Sequence, residues 1–289
     1  MVMSGKPTVI STFAGCGGSS LGYKMAGYKE LLAIEWETNA VETFKLNFPT
    51  VPVWQRDIST VTGKEILEFT NLKKGELDIF DGSPPCQGFS AAKGKRNVND
   101  DRNDLSYEYI RLINELQPKV FVMENVAGMV RGKMKGKFIE IMKELKKTGY
   151  DVKCTLMNSQ YYEVPQMRQR LIWIGVKQGQ ASFPKPNSNI ISVKDVLPEI
   201  IEQNRGQFDK TWITANKPCY TVTKTASLIF KEKNGTERKP TIDELKKVST
   251  FPQNFIFQGS FYEQWARIGN AVMPRFMYHI AKHIKENIL

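Results

Sequence analysis

Apolar residues in the first 176 positions alternate between short runs and longer stretches of helical period. Thr8–Phe13 is a β-branched apolar run that ends in a glycine cluster, and Leu77–Asp81 and Lys119–Met123 are similar runs. Between them, Thr38–Phe48 and Asp104–Leu116 carry apolar residues at helical spacing, which predicts amphipathic helices. This alternation indicates an α/β fold, a doubly wound and mostly parallel sheet that binds ligands at the carboxyl ends of its strands.

Five further segments complete this alternation. Ser19–Ala26 and Phe138–Leu145 are predicted helices, and Leu31–Trp36, Tyr150–Met157 and Leu171–Val176 are predicted strands. The unusual clusters of small, acidic and sulfur-bearing residues described below follow predicted strands. We therefore expect the candidate chemistry to share one crevice.

The periodicity weakens in the second half of the chain. Residues 177–262 are rich in polar and turn residues, whereas Met277–Ile288 is again helical. We therefore expect a first domain over residues 1–177, completed by residues 263–289, and a second, smaller domain over residues 178–262.

The composition is that of a globular protein and excludes membrane-spanning, collagen-like and disulfide-rich classes. The 289 residues are 41% hydrophobic and 25% charged, and the longest apolar runs are too short to span a bilayer. No signal peptide is evident at the N-terminus. The cysteines form no CxxC pair, which favours a reduced, cytoplasmic protein with no structural zinc and no other metal site. They are Cys16, Cys86, Cys154 and Cys219.

The charge balance changes this picture. There are 41 Lys and Arg residues against 30 Asp and Glu residues, a net charge of +11, which favours a polyanionic partner. On charge alone, a basic enzyme without such a partner is an equal alternative. Two clusters of basic residues could bind a phosphate backbone, although a solvated helix or loop face would have the same composition. They are Lys93, Lys95, Arg96 and Arg102, and Arg131, Lys133, Lys135 and Lys137.

A glycine-rich loop, Phe13-Ala14-Gly15-Cys16-Gly17-Gly18, joins the first predicted strand to the first predicted helix. Glycines there let the backbone turn tightly and approach a ligand at the helix N-terminus. Glu35 closes the next predicted strand, where an acid can hold ribose hydroxyls. Trp36 beside it could stack on adenine or lie in the core. The pattern favours an adenosine-containing cofactor.

Cys86 lies in the segment Gly82–Ser90, just after a predicted strand. The two prolines before it stiffen the backbone, and a fixed thiol at a ligand crevice suits a nucleophile. The other three cysteines are interpreted as small buried apolar residues, although Cys16 in the glycine loop could touch a ligand passively.

Two further positions can supply acid–base and electrostatic chemistry. Glu124 ends a predicted strand, and partial burial would raise its pKa so that it could donate a proton. Arg168 and Arg170 stand at i and i+2 on an extended segment and so point the same way, towards a phosphate or a carbonyl oxygen. A surface acid and a solvated arginine pair are the alternatives.

Taken together and in order, these segments resemble one family, the DNA cytosine-5 methyltransferases of the bacterial modification type. The likeness runs from residue 8 to residue 274. It implies a Rossmann-like, S-adenosylmethionine-dependent domain with a smaller target-recognition domain. The segments are Phe13–Gly18, Glu35-Trp36, Asp57-Ile58, Pro84–Gln87, Glu124–Val126, Gln166-x-Arg168-x-Arg170 and Arg267–Val272.

The resemblance implies S-adenosyl-L-methionine as the cofactor, with S-adenosyl-L-homocysteine as its product. Glu35 would hold the ribose, Trp36 and Ile58 would flank the adenine, and Asp57 would meet the adenine amino group. The glycine loop would line the methionine side. The implied cofactor residues are Phe13, Ala14, Gly15, Cys16, Gly17, Gly18, Glu35, Trp36, Asp57, Ile58, Pro85, Leu105, Asn270 and Val272.

The family's reaction methylates carbon 5 of a cytosine flipped out of double-stranded DNA, through a covalent bond between Cys86 and C6. Glu124 would contact N3 and the amino group of the base, and Arg170 its O2, with Arg168 as a further catalytic residue. Residues 88–103 resemble a mobile catalytic loop. The predicted DNA contacts are Gln87, Ser90, Lys93, Lys95, Arg96 and Gln166.

The chain departs from the family pattern before its last block. Thr241, Glu244 and Phe251-Pro252 fit, but Ile242-Asp243 and Lys246-Lys247 do not. The segment Pro218–Thr223 resembles the one that follows the variable recognition region, so only residues 177–217 remain for reading sequence. Candidate base or phosphate contacts there are Arg205, Lys210, Thr211 and Trp212, each of which could instead be structural.

Three alternatives remain at this stage. An RNA (tRNA) cytosine-5 methyltransferase would share the fold, and a non-catalytic nucleic-acid binder would be expected to lose Cys86, Glu124 or Arg170. A nicotinamide dehydrogenase would share the glycine loop but has no need of Pro-Pro-Cys. We expect a monomer that acts on double-stranded DNA in the bacterial cytoplasm or nucleoid, with a cognate restriction endonuclease as a candidate partner and no membrane contact.

Overall fold

One central sheet organises the first part of the chain. A computed structural model describes residues 5–85, 105–132, 134–206 and 209–289. In chain order, strands β1 to β8 are Thr8–Thr12, Lys29–Glu35, Val53–Gln55, Ile79–Gly82, Val120–Val126, Asp151–Asn158, Gln166–Met167 and Gln169–Val176. All of these except β7 form a seven-stranded sheet with the order β3-β2-β1-β4-β5-β8-β6.

The first five strands of this sheet run parallel, and β8 pairs antiparallel with both β5 and β6. The prediction of a doubly wound, mostly parallel α/β sheet is therefore confirmed. Strands β6 and β8 are the predicted late pair, and β8 runs opposite to the other strands of this sheet. Because the parallel strands all end at one edge, the segments that follow them meet there.

Helices cover both faces of the sheet. Helices α1 to α9 are Gly18–Met25, Thr38–Asn47, Gly63–Thr70, Leu105–Leu116, Met134–Lys147, Val193–Val196, Ile242–Val248, Phe261–Asn270 and Pro274–Asn287. Among the described residues, no helix combines the length and the apolar character needed to cross a membrane.

The alternation of side chains along β5 shows why its sequence is apolar throughout. Phe121 and Met123 pack into the cluster covered by α3, α4 and α5, while Val120 and Val122 face the cluster covered by α1 and α9. A parallel strand buried on both faces needs apolar residues at successive positions. The C-terminal helix α9 thus packs back on the first domain.

The later part of the chain forms a second, antiparallel sheet. Strands β9 to β13 are Ile200–Asn204, Ile213–Thr214, Cys219–Tyr220, Ile229–Glu232 and Glu237–Arg238. Four of them form the order β10-β9-β12-β13, while β11 pairs with β7 of the first part. Strands of two to five residues are too short to show a clear period, which explains the weak pattern of residues 177–262.

The two parts share an apolar cluster. It joins Phe44 of α2, and Phe48 just after that helix, to Phe251, Phe255 and Trp265 of the later part. The domain boundaries at residues 177 and 263 stay a prediction.

Candidate active site

One cavity of about 620 Å³ lies at the carboxyl edge of the parallel strands. Loops after β1, β2, β3 and β4, the end of β5 and the segment between α8 and α9 all contribute to its wall. Of the cofactor residues predicted from the sequence, all except Gly17 line this cavity. Glu124, Arg168 and Arg170 line it as well.

The glycine loop turns sharply between β1 and α1. Phe13, Gly15 and Gly17 have positive φ angles of 53°, 55° and 91°. A Cβ on Gly17 would lie 2.3 Å from the Phe48 ring, and one on Gly18 would lie 2.2 Å from the carbonyl oxygen of Val272. Gly17 is therefore required for packing behind the loop, which corrects its predicted place in the cofactor pocket.

Glu35 is fixed by three backbone amides at the end of β2. Its Oε2 accepts a hydrogen bond from the Gly15 N–H at 2.8 Å, and its Oε1 accepts from Trp36 and Glu37 N–H at 2.9 Å each. Each carboxylate oxygen can accept more than one hydrogen bond, so Oε2 keeps a lone pair for a further donor. The carboxylate is thus oriented in advance for ribose hydroxyls.

Trp36 is 70% exposed at the cavity wall, so the interpretation of this residue as core is wrong. Asp57 accepts hydrogen bonds from the amide and hydroxyl of Ser59 through Oδ1, which leaves Oδ2 for a ligand amino group. Ile58, the next residue, is buried. An open indole face, a carboxylate and an apolar side chain are the groups an adenine ring needs.

Glu124 and Arg170 form an ion pair inside the cavity. The Arg170 Nε lies 2.7 Å from the Glu124 Oε1, and the two side chains are 13% and 10% exposed. The antiparallel pairing of β5 and β8 brings them together, because Val126 stands opposite Arg170. Buried charge in a cleft is costly to the fold and marks a candidate functional site.

The segment that leads to Cys86 enters the cavity beside this ion pair. Pro84 is buried and its carbonyl oxygen accepts a hydrogen bond from the Asn125 Nδ2 at 3.0 Å, while Pro85 lines the cavity. Cys86 itself lies outside the described residues. So do Gln87, Ser90, Lys93, Lys95, Arg96, Arg102 and Lys133.

The three cysteines within the described residues do not have the character of nucleophiles. Burial raises the pKa of the Cys16 and Cys154 thiols to about 12, and also raises that of Cys219. The Cys16 thiol donates a hydrogen bond to the Arg267 carbonyl oxygen at 3.7 Å. All three thus remain protonated near neutral pH.

Beneath the glycine loop, Asp81 is 3% exposed and accepts a hydrogen bond from the Tyr23 hydroxyl at 3.0 Å. Burial, reinforced by the nearby carboxylates of Glu30 and Glu124, raises the Asp81 pKa to about 8. The sequence did not single out this acid, since it reads as the last residue of an apolar strand.

Gln166 and Arg168 have a different role from the predicted one. Gln166 is fully buried, donates to the Ser249 hydroxyl at 3.1 Å and accepts from the Val222 N–H at 3.1 Å, so it is not placed to contact DNA. Arg168 donates to the carbonyl oxygens of Val222, Gly269 and Ala271 at 2.9, 2.9 and 3.0 Å. Its η nitrogens are engaged with backbone, which corrects its assignment as a catalytic residue.

The two arginines therefore line the same cavity but have different partners. Residues at i and i+2 share a face in a regular strand, but Arg168 lies between β7 and β8 rather than within either. Its partners come from segments far along the chain, which no local pattern could indicate.

The fold and this cavity are those of an S-adenosylmethionine-dependent methyltransferase with a Rossmann-like sheet. The family model for C-5 cytosine-specific DNA methylases matches residues 7–232 and 217–286. The chain therefore belongs to the C-5 cytosine-specific DNA methylases, and it is a DNA cytosine-5 methyltransferase with S-adenosylmethionine as methyl donor.

Its relatives include bacterial modification enzymes. The chain is 31% identical over 324 residues to the Type II methyltransferase M1.HphI of Haemophilus parahaemolyticus, covering 96% of this chain and 86% of that protein. It is 29% identical over 333 residues to M.NgoPII of Neisseria gonorrhoeae, covering 97% and 96%.

Solved structures agree with this assignment. A DNA modification methyltransferase encoded within an Escherichia coli prophage superposes with a TM-score of 0.77 at 25% identity, over 97% of this chain and 99% of that chain. A mutant form of DNMT2 from Spodoptera frugiperda has a TM-score of 0.74 at 18% identity, with the same coverage, and supports the fold alone.

The residues of the cavity fit this cofactor. Glu35 presents a free lone pair for a ribose, Trp36 an open aromatic face for adenine, and Asp57 an oxygen for its amino group. Gly15, at positive φ in the cavity wall, allows the backbone to turn beside the rest of the molecule. When bound, S-adenosylmethionine supplies an electrophilic methyl group.

Proposed function

We propose that this enzyme methylates a cytosine flipped out of duplex DNA, through a transient bond between the Cys86 sulfur and C6 of the base. The observation that carries the proposal is a cavity whose wall includes Glu35 and Trp36, the Glu124–Arg170 pair, and Pro85, the chain neighbour of Cys86. Cofactor and base would thus meet in one space.

Extrusion of the base follows from the depth of Glu124. Its carboxylate lies in the cavity wall and is 10% exposed, so the edge of a base within a stacked duplex could not reach it. Flipping costs a few kcal/mol, which binding of the freed base in the cavity would offset.

Each of the three residues has a defined part in the chemistry. The Cys86 thiolate adds to C6, and the electrons of the C5–C6 double bond make C5 nucleophilic. Glu124 hydrogen bonds or protonates N3, so that negative charge does not build on the ring, and Arg170 offsets charge at O2. Once C5 carries the methyl group, loss of its proton to water restores the double bond and expels Cys86.

We propose that each part of the cofactor contacts its own group of residues in the cavity wall. Glu35 binds the ribose, Trp36 and Ile58 flank the adenine, and Asp57 accepts from its amino group. The remaining wall accommodates the methionine part. This wall comprises Phe13, Ala14, Gly15, Cys16, Gly18, Pro85, Leu105, Asn270 and Val272.

Residues 178–262 are proposed as the target-recognition domain, and the chain as a monomer that works on the chromosome in the bacterial cytoplasm. The names of the Type II relatives suggest a cognate restriction endonuclease in the cell. Bisulfite sequencing of DNA from cells that express the enzyme would identify the methylated site, and genomic DNA without new 5-methylcytosine would contradict the proposal.

The covalent step has a direct test. Duplex DNA with 5-fluorocytosine at the target should form a lasting adduct with the wild-type enzyme, because fluorine cannot leave as a proton does. Cys86→Ala should form none and should lose methyl transfer while still binding S-adenosylhomocysteine. Cys154→Ala is the matched control and should behave as wild type. An adduct that survives in Cys86→Ala would assign the nucleophile elsewhere.

A further inference from the structure

The cations that line the cavity differ in one respect, namely whether they have a partner. Within the described ranges the cavity wall carries five of them, and four are engaged. Arg170 pairs with Glu124, Arg267 pairs with Glu37, Arg56 pairs with Glu65, and Arg168 donates to backbone carbonyls. Lys224 is the fifth, and no acceptor among the described residues pairs with its ammonium group.

We infer that Lys224 is a positioning residue that binds a backbone phosphate beside the flipped-out cytosine. Its side chain is exposed and contributes to the cavity wall, on the segment that connects β11 to β12. A lysine is a compact point charge that suits a phosphate oxygen. The inference rests on the proposed function, since it needs a nucleotide in the cavity.

The backbone that carries Lys224 is fixed from two sides. The carbonyl oxygen of Thr223 accepts a hydrogen bond from the Trp265 indole at 3.0 Å, and a Cβ on Gly269 would lie 2.3 Å from that same oxygen. Only glycine allows the end of α8 to approach the segment so closely.

The other side of the segment is held by the two residues whose predicted roles were corrected above. Gln166 binds the N–H of Val222 and Arg168 binds its carbonyl oxygen. Arg168 also lies two residues before Arg170 in the chain. The position of the Lys224 backbone is therefore fixed relative to the strand that carries Arg170. A phosphate bound by Lys224 and a base bound by Arg170 can thus be held at a fixed distance from each other.

The alternative ligand for Lys224 is the carboxylate of the cofactor's methionine part. The two differ in how they respond to salt and to DNA sequence. A phosphate contact releases a counterion when it forms. Loss of the contact therefore makes the plot of log K against log salt shallower, by about one unit of slope. Loss of a cofactor contact would weaken S-adenosylhomocysteine binding and leave that slope unchanged.

The experiment compares Lys224→Ala, Lys224→Arg and wild type on two labelled duplexes of equal length. One carries the methylated site found by bisulfite sequencing and the other lacks it. Lys74→Ala is the matched control, because Lys74 is exposed in the turn before β4, at the opposite edge of the sheet. Affinity is measured between roughly 50 and 200 mM salt, and S-adenosylhomocysteine binding by calorimetry.

We expect Lys224→Ala to bind the target duplex roughly tenfold more weakly, with a salt dependence that is shallower by about one unit of slope. Lys224→Arg should restore both the affinity and the slope. Binding to the duplex without the site should change less, since no nucleotide is flipped out there. An unchanged slope, or a fall in S-adenosylhomocysteine affinity, would overturn the inference. Failure of the proposed function is distinct: the wild-type enzyme would then give no methylated site.

Discussion

The two sides of the cavity are held together in different ways. On the cofactor side, the ties that orient the two carboxylates stay within the first domain: Glu35 binds Gly15, and Asp57 binds Ser59. On the base side they join distant segments, as Arg168 does with Val222 and Gly269. The difference implies that cofactor binding depends on the first domain, whereas placement of the base depends on both parts of the molecule.

The largest effect is expected from Glu124→Gln, which removes the carboxylate of the base side. The rate of methyl transfer should fall by about 10² to 10⁴, because N3 loses its acid and Arg170 loses its counterion. S-adenosylhomocysteine affinity, measured by calorimetry, should stay within about twofold of wild type. Glu108→Gln, on α4 and paired with Arg111, is the control and should leave both unchanged. A parallel loss of cofactor affinity would show that the two sides are not separable.

Next in size is the effect of removing the Arg168 ties. Arg168→Met should lower the free energy of unfolding by about 3 kcal/mol, because three carbonyl oxygens, two of them buried, lose a charged donor. Chemical denaturation measures this loss. At a temperature where the variant remains folded, single-turnover methyl transfer should fall far less than in Arg170→Met. Equal single-turnover rates for Arg168→Met and Arg170→Met would show that Arg168 is a catalytic residue after all.

Trp36→Ala tests the cofactor side. Loss of an exposed ring that stacks on adenine should weaken S-adenosylhomocysteine binding by about tenfold, while DNA affinity stays the same. Phe69→Ala removes an exposed ring outside the cavity and should have no effect on either. Weaker DNA binding by Trp36→Ala would mean that the indole belongs to the DNA surface instead.

The last prediction concerns pH and tests the fold beside the cavity rather than either of its two sides. The buried Asp81 has a folded pKa of about 8, above its ordinary value, so the folded state retains a proton that the unfolded chain has lost. Its contribution to stability is full below the ordinary Asp pKa and is lost as pH rises through about 8. Denaturation from about pH 5 to about pH 9 should show stability decreasing with pH, and Asp81→Asn should flatten that trend. If the stability of the wild type and of Asp81→Asn falls equally with pH, Asp81 is not the cause of the trend.

The predicted cofactor residues other than Gly17 line one cavity, whereas Gln166 and Arg168 have partners that the sequence did not indicate, and the reason is physical. Glu35, Trp36 and Asp57 each lie at or just after the end of a strand, so the alternation of strands and helices alone places them at one edge. Gln166 and Arg168 also follow the family pattern, but burial and distant carbonyl partners decide what they do. Their neighbours in the chain give no sign of either.

For the fold as well, some elements were predicted from the sequence and others were not. The strands β1, β2 and β5 were predicted to within about three residues at each end, because their apolar runs are bounded by glycine or polar residues. Helix α5 starts at Met134, earlier than predicted, where the sequence is basic. Helices α7 and α8 were not predicted, although Thr241 and Ser260 each begin a capping box that could have indicated them.

The three acceptors of Arg168 have a consequence for synthesis of the enzyme on the ribosome. The guanidinium is made 101 residues before the Gly269 carbonyl and 103 residues before the Ala271 carbonyl that help to satisfy it. A nascent chain that has emerged only as far as the sheet must keep this charge hydrated, so the base side cannot close before residue 271 has emerged from the ribosome.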